Sequence, residues 1–141
     1  PGASGDISLE PGRTNNSSIA WCQPGGAPYN PTTLVYEDRL YVLHDRGELS
    51  AFNARTGAVL YKREKLPEGL HFTASPWAHN GRVFCLNEDG VTFVIRAGER
   101  FELLQKNQLA ADDMCLATPA LAGDRLLIRS GARLYCIRTR P

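Results

Sequence analysis

Asp45 and the pair Glu88-Asp89 stand just before Gly47 and Gly90, and Asp112 and Asp113 are adjacent in the stretch NQLAADDM. Carboxylates in such number suit two chemistries, proton transfer and the binding of a hard cation through oxygen. Their placement argues against both. Asp ahead of Gly stabilises a turn through its own side chain, and one adjacent acidic pair offers too few oxygens for calcium. His44, His71 and His79 lack the H-x-x-x-H or E-x-x-H spacing that gathers metal ligands on a helix. No Ser-His-Asp or Cys-His set can be read from chain order, because strand proteins assemble such sets only in three dimensions. The expectation is a chain with no catalytic residue and no metal ligand.

The four cysteines, Cys22, Cys85, Cys115 and Cys136, contain no C-x-x-C spacing of the kind that zinc or dithiol redox chemistry uses. Cys85 occupies the place of Val42 and Ile128 in neighbouring repeats, and Cys136 that of Ala51 and Val94, so both read as small apolar core residues. A Cys22–Cys115 or Cys85–Cys136 disulfide stays open for an exported protein, since spacing does not fix connectivity.

The elements that position these residues repeat. DRLYVLHDRGELSAFNARTG returns as GRVFCLNEDGVTFVIRAG and as DRLLIRSGARLYCIR, and Arg39, Arg82 and Arg125 begin matching strands at a spacing of 43 residues. That period is the size of a propeller blade, WD40-like in length. In the first unit, 33–63, four short strands are expected at Thr33 to Tyr36, Leu40 to His44, Glu48 to Asn53 and Val59 to Arg63. The second unit, 73–106, places them at Thr73 to Ala78, Val83 to Asn87, Val91 to Arg96 and Phe101 to Lys106. A partial third, 116–138, has Leu116 to Ala122, Leu126 to Arg129 and Leu134 to Arg138. The short Gly, Asn and Asp connections make each unit an antiparallel meander with no helix. LYVL, VFCL and LLI are apolar without alternation, so both faces of these sheets must be covered, as stacked blades cover one another.

Residues 1–18 form an irregular Gly-, Pro- and Ser-rich arm, and Ile19 to Gln23 (IAWCQ) reads as a lone strand in which Trp21 matches Tyr61 of an outer fourth strand. The propeller segment is therefore 19–141, an all-β array of about three blades of four-stranded antiparallel meanders, and an incomplete ring. The lone strand is expected either to close the last blade or to be exchanged between chains in a six-bladed dimer. A chain of 141 residues fits one domain, and one that opens on Pro1 reads as a processed or excised piece. Sixteen Lys and Arg balance fifteen Asp and Glu with no like-charge run, which argues against nucleic acid and anionic lipid as partners. No apolar run approaches the ~20 residues of a membrane span.

GELSAFNARTGAVLY, preceded by DRLYVLHD, resembles the repeat of pyrroloquinoline quinone-type (PQQ-like) propellers: Leu49, Phe52, Asn53, Ala54, Thr56, Gly57 and Tyr61 fill its characteristic places. Gly90, Ile95, Ala97 and Gly98 keep the frame in the second unit, and Leu134, Tyr135 and Ile137 in the third. The resemblance implies a C-terminal portion of a bacterial member, periplasmic or otherwise extracytoplasmic. It also implies one of two activities. Some members are dehydrogenases that hold the quinone with calcium on the propeller axis, beneath a vicinal Cys-Cys pair; others are non-catalytic binding platforms. This chain has no Cys-Cys pair, so no cofactor is expected, and quinone with calcium belongs to the alternative reading alone.

In such a blade the loop after the second strand and the loop to the next blade open on one side. That side should gather Asp45, Arg46, His71, Glu88, Asp89, Asp112, Asp113 and Arg129 into a polar partner-binding face. Thr73, Ser75 and Thr118 on the inner strands should line the channel and offer hydroxyls to water or a small ligand. The function expected is non-catalytic binding of a protein or ligand, or self-association that completes the ring. Two readings stand against it, a piece of a quinone-dependent dehydrogenase and a purely structural repeat segment.

Overall fold

A computed structural model describes residues 2, 4–110 and 112–138. Among the described residues, eleven strands form three antiparallel sheets in chain order. The first contains β1 (Leu34–Tyr36), β2 (Arg39–His44), β3 (Glu48–Asn53) and β4 (Val59–Lys65), each beside the next. The second repeats this with β5 (Trp77–His79), β6 (Arg82–Leu86), β7 (Val91–Arg96) and β8 (Leu103–Gln108). The third has only β9 (Ala120–Ala122), β10 (Arg125–Arg129) and β11 (Leu134–Arg138), with β10 central. Two-residue loops begin the first two sheets, and both central residues are left-handed: Glu37 and Asp38 at φ 50° and 58°, Asn80 and Gly81 at φ 48° and 68°. Their twist matches that of the strands they join, which is why so tight a hairpin forms.

The first strand of each later sheet is shorter than its residues suggest. Thr73 to Ala78 yields only Trp77–His79, and Leu116 to Ala122 only Ala120–Ala122. Upstream, the Ser75 amide is bonded to the neighbouring unit and not to its own sheet.

Side chains alternate across each sheet, so one face of the first meets one face of the second. Tyr41, Leu43, Leu49 and Ala51 are fully buried there against Val83, Cys85, Phe93 and Ile95. A second core joins the second and third sheets through Trp77, Leu86, Cys115 and Ile128. That seam is looser: a cavity of about 330 Å³ opens between them, lined by Trp77, Phe84, Leu121, Leu126 and Ile137 among others. In β10 only Ile128 is fully buried, and Leu134 of β11 is 75% exposed, because nothing covers the far side of the last sheet. The double-sided coverage expected of the second strands thus holds for two units and stops at the third. The sheets form an unclosed array of three propeller blades.

Three expectations need correction. Ile19 to Gln23 forms no strand and does not complete the last blade. It lies on the outward face of the first: the Trp21 indole stacks on Phe52 with centroids 6.5 Å apart, its Nε1 donates to the Ala54 carbonyl at 3.0 Å, and Gln23 Nε2 donates to the Gly57 carbonyl at 2.8 Å. An outer strand needs a third strand to pair with, and none lies beside this segment. Neither disulfide exists, since all four cysteines are free. Cys85 is buried as expected, but Cys136 is exposed: it pairs with Leu127 on the uncovered face. Upstream, Asn16 orders the arm, its Oδ1 accepting the Ser18 and Ile19 amides at 2.8 and 2.7 Å. Thr139, Arg140 and Pro141, the end of the expected segment, lie outside the described residues. Among the described residues, no helix is long and apolar enough to cross a membrane.

Candidate functional site

A belt of backbone hydrogen bonds builds the loop side of the array. Gly47 and Gly90, at φ 80° and 77°, close equivalent turns after β2 and β6 by donating to His44 and Asn87 carbonyls at 3.0 and 3.2 Å. The loop leaving the first blade clasps both turns. Phe72 N donates to the Asp45 carbonyl and Glu88 N to the His71 carbonyl, each at 2.9 Å. The next loop repeats the clasp, with Cys115 N on the Glu88 carbonyl at 2.9 Å and Gly131 N on the Met114 carbonyl at 2.8 Å. Adjacent turns are therefore tied to one another through the connecting loops.

His71, Glu88, Asp89, Asp112 and Asp113 converge there, with Met114, around a cavity of about 270 Å³. Asp45 and Arg46 sit on the preceding turn, where Asp45 Oδ1 accepts the Tyr29 amide at 3.3 Å. Arg129, at the end of β10, does not line the cavity. Several of these side chains are already engaged. Thr73 Oγ1 donates to Glu88 Oε1 at 2.6 Å. Asp113 is buried and accepts from the Ser130 hydroxyl, the Ala132 amide at 2.8 Å and Arg133 Nη1 at 3.2 Å. These bonds, the Ser130 contact foremost, hold its carboxyl below the usual carboxylate value. Asp113 thus fastens the turn between β10 and β11. Asp112 stays open to solvent, 3.8 Å from Arg133, and Met114 is 57% exposed beside it. Arg133 and Met114 were not foreseen, because Arg133 meets Asp113 across 20 residues of chain and no local motif links them.

Each of the three hydroxyls expected to line a channel has a hydrogen-bond partner. Thr32 N donates to Ser75 Oγ at 2.8 Å and Ser75 N to Thr118 Oγ1 at 2.9 Å, each across 43 residues. One bond is thus used twice as a rung from blade to blade, while Thr73 is turned to Glu88. Thr32, the first member, was missed, although its spacing to Ser75 marks it.

Among the described residues, no group of three or more His, Cys, Asp and Glu is placed to hold a metal ion. Burial pushes the Cys85 and Cys115 thiols up, away from the reactive thiolate. His44, buried beside Ser50 Oγ at 3.3 Å, is held below the usual imidazole value, first by burial and then by the Arg63 charge.

No family profile and no curated protein matches the chain. Solved structures do. BamB from Moraxella catarrhalis superimposes with a TM-score of 0.59 at 17% identity, over 75% of this chain and 32% of its own. The quinohemoprotein alcohol dehydrogenase ADHIIG from Pseudomonas putida HK5 gives 0.56 at 16%, over 75% and 17%. The chain has a β-propeller fold. The N-terminal domain of Nup159 adds a third likeness to the propeller, with a TM-score of 0.53 at 15% identity over 78% and 34%. The propeller segment spans about a third or less of each of these chains.

Proposed function

We propose that this propeller segment is a non-catalytic module that binds another protein through its loop side, as part of a larger or oligomeric ring outside the cytoplasm. The observation that carries the reading is the cavity where His71, Glu88, Asp89 and Asp112 meet an exposed Met114 on loops fixed by backbone bonds. Acidic groups around an apolar side chain suit a partner that presents Lys or Arg beside an apolar residue.

The likeness to a quinohemoprotein alcohol dehydrogenase favours a second reading, a dehydrogenase piece. The residues fit it poorly. The sequence has no adjacent cysteines, and no three metal-ligating side chains converge among the described residues.

Two measurements test these readings. Titrating hexalysine into isotope-labelled protein should move the amide signals of Glu88, Asp89, Asp112 and Met114, and the Asp89→Lys, Asp112→Lys double variant should abolish the shifts. Shifts elsewhere, or equal shifts with hexaglutamate, would remove the binding face. Dye-linked alcohol oxidation after addition of quinone and calcium would instead favour the dehydrogenase.

A further inference from the structure

The middle of the first sheet's outward face is closed to water. Leu40, Val42 and His44 of β2 stand opposite Phe52, Ser50 and Glu48 of β3, so all six share the face on which Trp21 stacks. Val42, His44, Ser50 and Phe52 are buried, whereas Val35 and Val59 on the same face are exposed. The anchors of segment 21–29 ring this patch. Besides the bonds of Trp21 and Gln23, the Gly25 carbonyl accepts from Arg63 Nη2 at 3.5 Å and the Tyr29 amide donates to Asp45 Oδ1 at 3.3 Å.

Beneath this cover lies a β-bulge. The register of β3 and β4 slips between Leu49 and Ala51, so that Lys62 and Arg63 together face Ser50, and Arg63 takes a left-handed φ of 54°. Ser50 Oγ holds it there. That oxygen accepts the Arg63 amide at 3.0 Å and lies 3.3 Å from His44 Nε2, the acceptor to which the Ser50 hydrogen can go. Nε2 accepts only in a neutral ring. An imidazolium would make Nε2 a second donor to Ser50, strand the Ser50 hydrogen and place a charge in a face closed to water.

The groups around His44 decide how a proton is received. Burial opposes it first and the Arg63 guanidinium on β4 second, while Glu48 of β3 and Asp45 beyond β2 favour it. Glu48 is already committed to Arg63 at 2.6 Å. Segment 21–29 brings no charged side chain, and its titratable groups, Cys22 and Tyr29, are exposed. The cover thus offers an imidazolium no counter-charge, and its removal offers water.

We propose that His44 is a proton-operated latch: segment 21–29 stays docked over a neutral ring, and protonation lifts it from the first blade while the three sheets remain folded. Release also frees Asp45 Oδ1 from the Tyr29 amide, on the loop side.

NMR of isotope-labelled protein, followed from about pH 8 to about pH 5, tests the latch. The Gly25 and Tyr29 amides should move to disordered positions with the midpoint of the His44 ring, below 6.5, while those of Phe93 and Ile95 stay in place. His44→Gln keeps an acceptor for Ser50 but takes no proton, so the segment should stay docked throughout. Ser50→Ala removes the bond that favours the neutral ring and should raise the midpoint toward 6.5. A segment that stays docked across this range in the unaltered protein would overturn the proposal. So would release that persists in His44→Gln, or that coincides with loss of the Phe93 and Ile95 signals. Should His44→Gln not fold, Ser50→Ala carries the test, and an unchanged midpoint there overturns it.

Discussion

The Ser75 amide donates to the Thr118 hydroxyl at 2.9 Å across 43 residues, the same bond that Thr32 makes to Ser75 at 2.8 Å. Thr118→Val keeps the shape and removes the acceptor. It should cost about 1 kcal/mol, at the modest end because water reaches this part-exposed bond, while Thr118→Ser should cost less. Urea denaturation of the two variants reads the difference.

Tyr41 and Tyr61 lie in one core yet differ at their hydroxyls. Tyr41 Oη accepts the Gly98 amide at 3.0 Å, whereas the buried Tyr61 hydroxyl has no partner. Tyr61→Phe should be neutral or stabilising by up to about 1 kcal/mol, and Tyr41→Phe should destabilise by a similar amount. Thermal melts of the pair check the sign.

Asp113 and His44 both contribute to the acid limb. Asp113 is held below 3.8, chiefly by Ser130, so its contribution is present above that value and is lost as pH falls through its lower folded value. His44 is held below 6.5 by burial, so the unfolded chain takes up its proton first and stability begins to fall below 6.5. Asp113→Asn should flatten the lower window, and His44→Gln the upper. Denaturation midpoints measured against pH separate them.

Gly57 holds φ at 71°, and a Cβ there would come within 2.6 Å of the Trp21 ring. Gly57→Ala should therefore lift Trp21 from Phe52 and cost about 1–3 kcal/mol through strain and lost stacking. Protease sensitivity of the first 30 residues should rise with it. Unchanged digestion would show that the segment is held by other contacts.

The succession of blades was legible because Gly47 and Gly90 punctuate turns that only left-handed residues close easily, and because β2 and β6 need cover on both faces. The third blade obeyed the same pattern without its environment: Cys136 occupies a core place, but no neighbour makes it a core. Ile19 to Gln23 carries an outer strand's residues, yet a strand is defined by its partner. The loop side was foreseen as a gathering of loops. The engagement of Asp113 with Ser130 and Arg133 was not, since a buried carboxylate and a solvated one look alike in sequence.

The placement of the two indoles has an optical consequence. Trp21 covers the outward face of the first sheet, and Trp77 stacks on Phe84 with centroids 5.3 Å apart at the looser seam between the second and third. Emission from each single-tryptophan variant would report one weak point of the array without any attached dye. A red shift from Trp21 would mark its release from the first blade, and one from Trp77 the parting of the last.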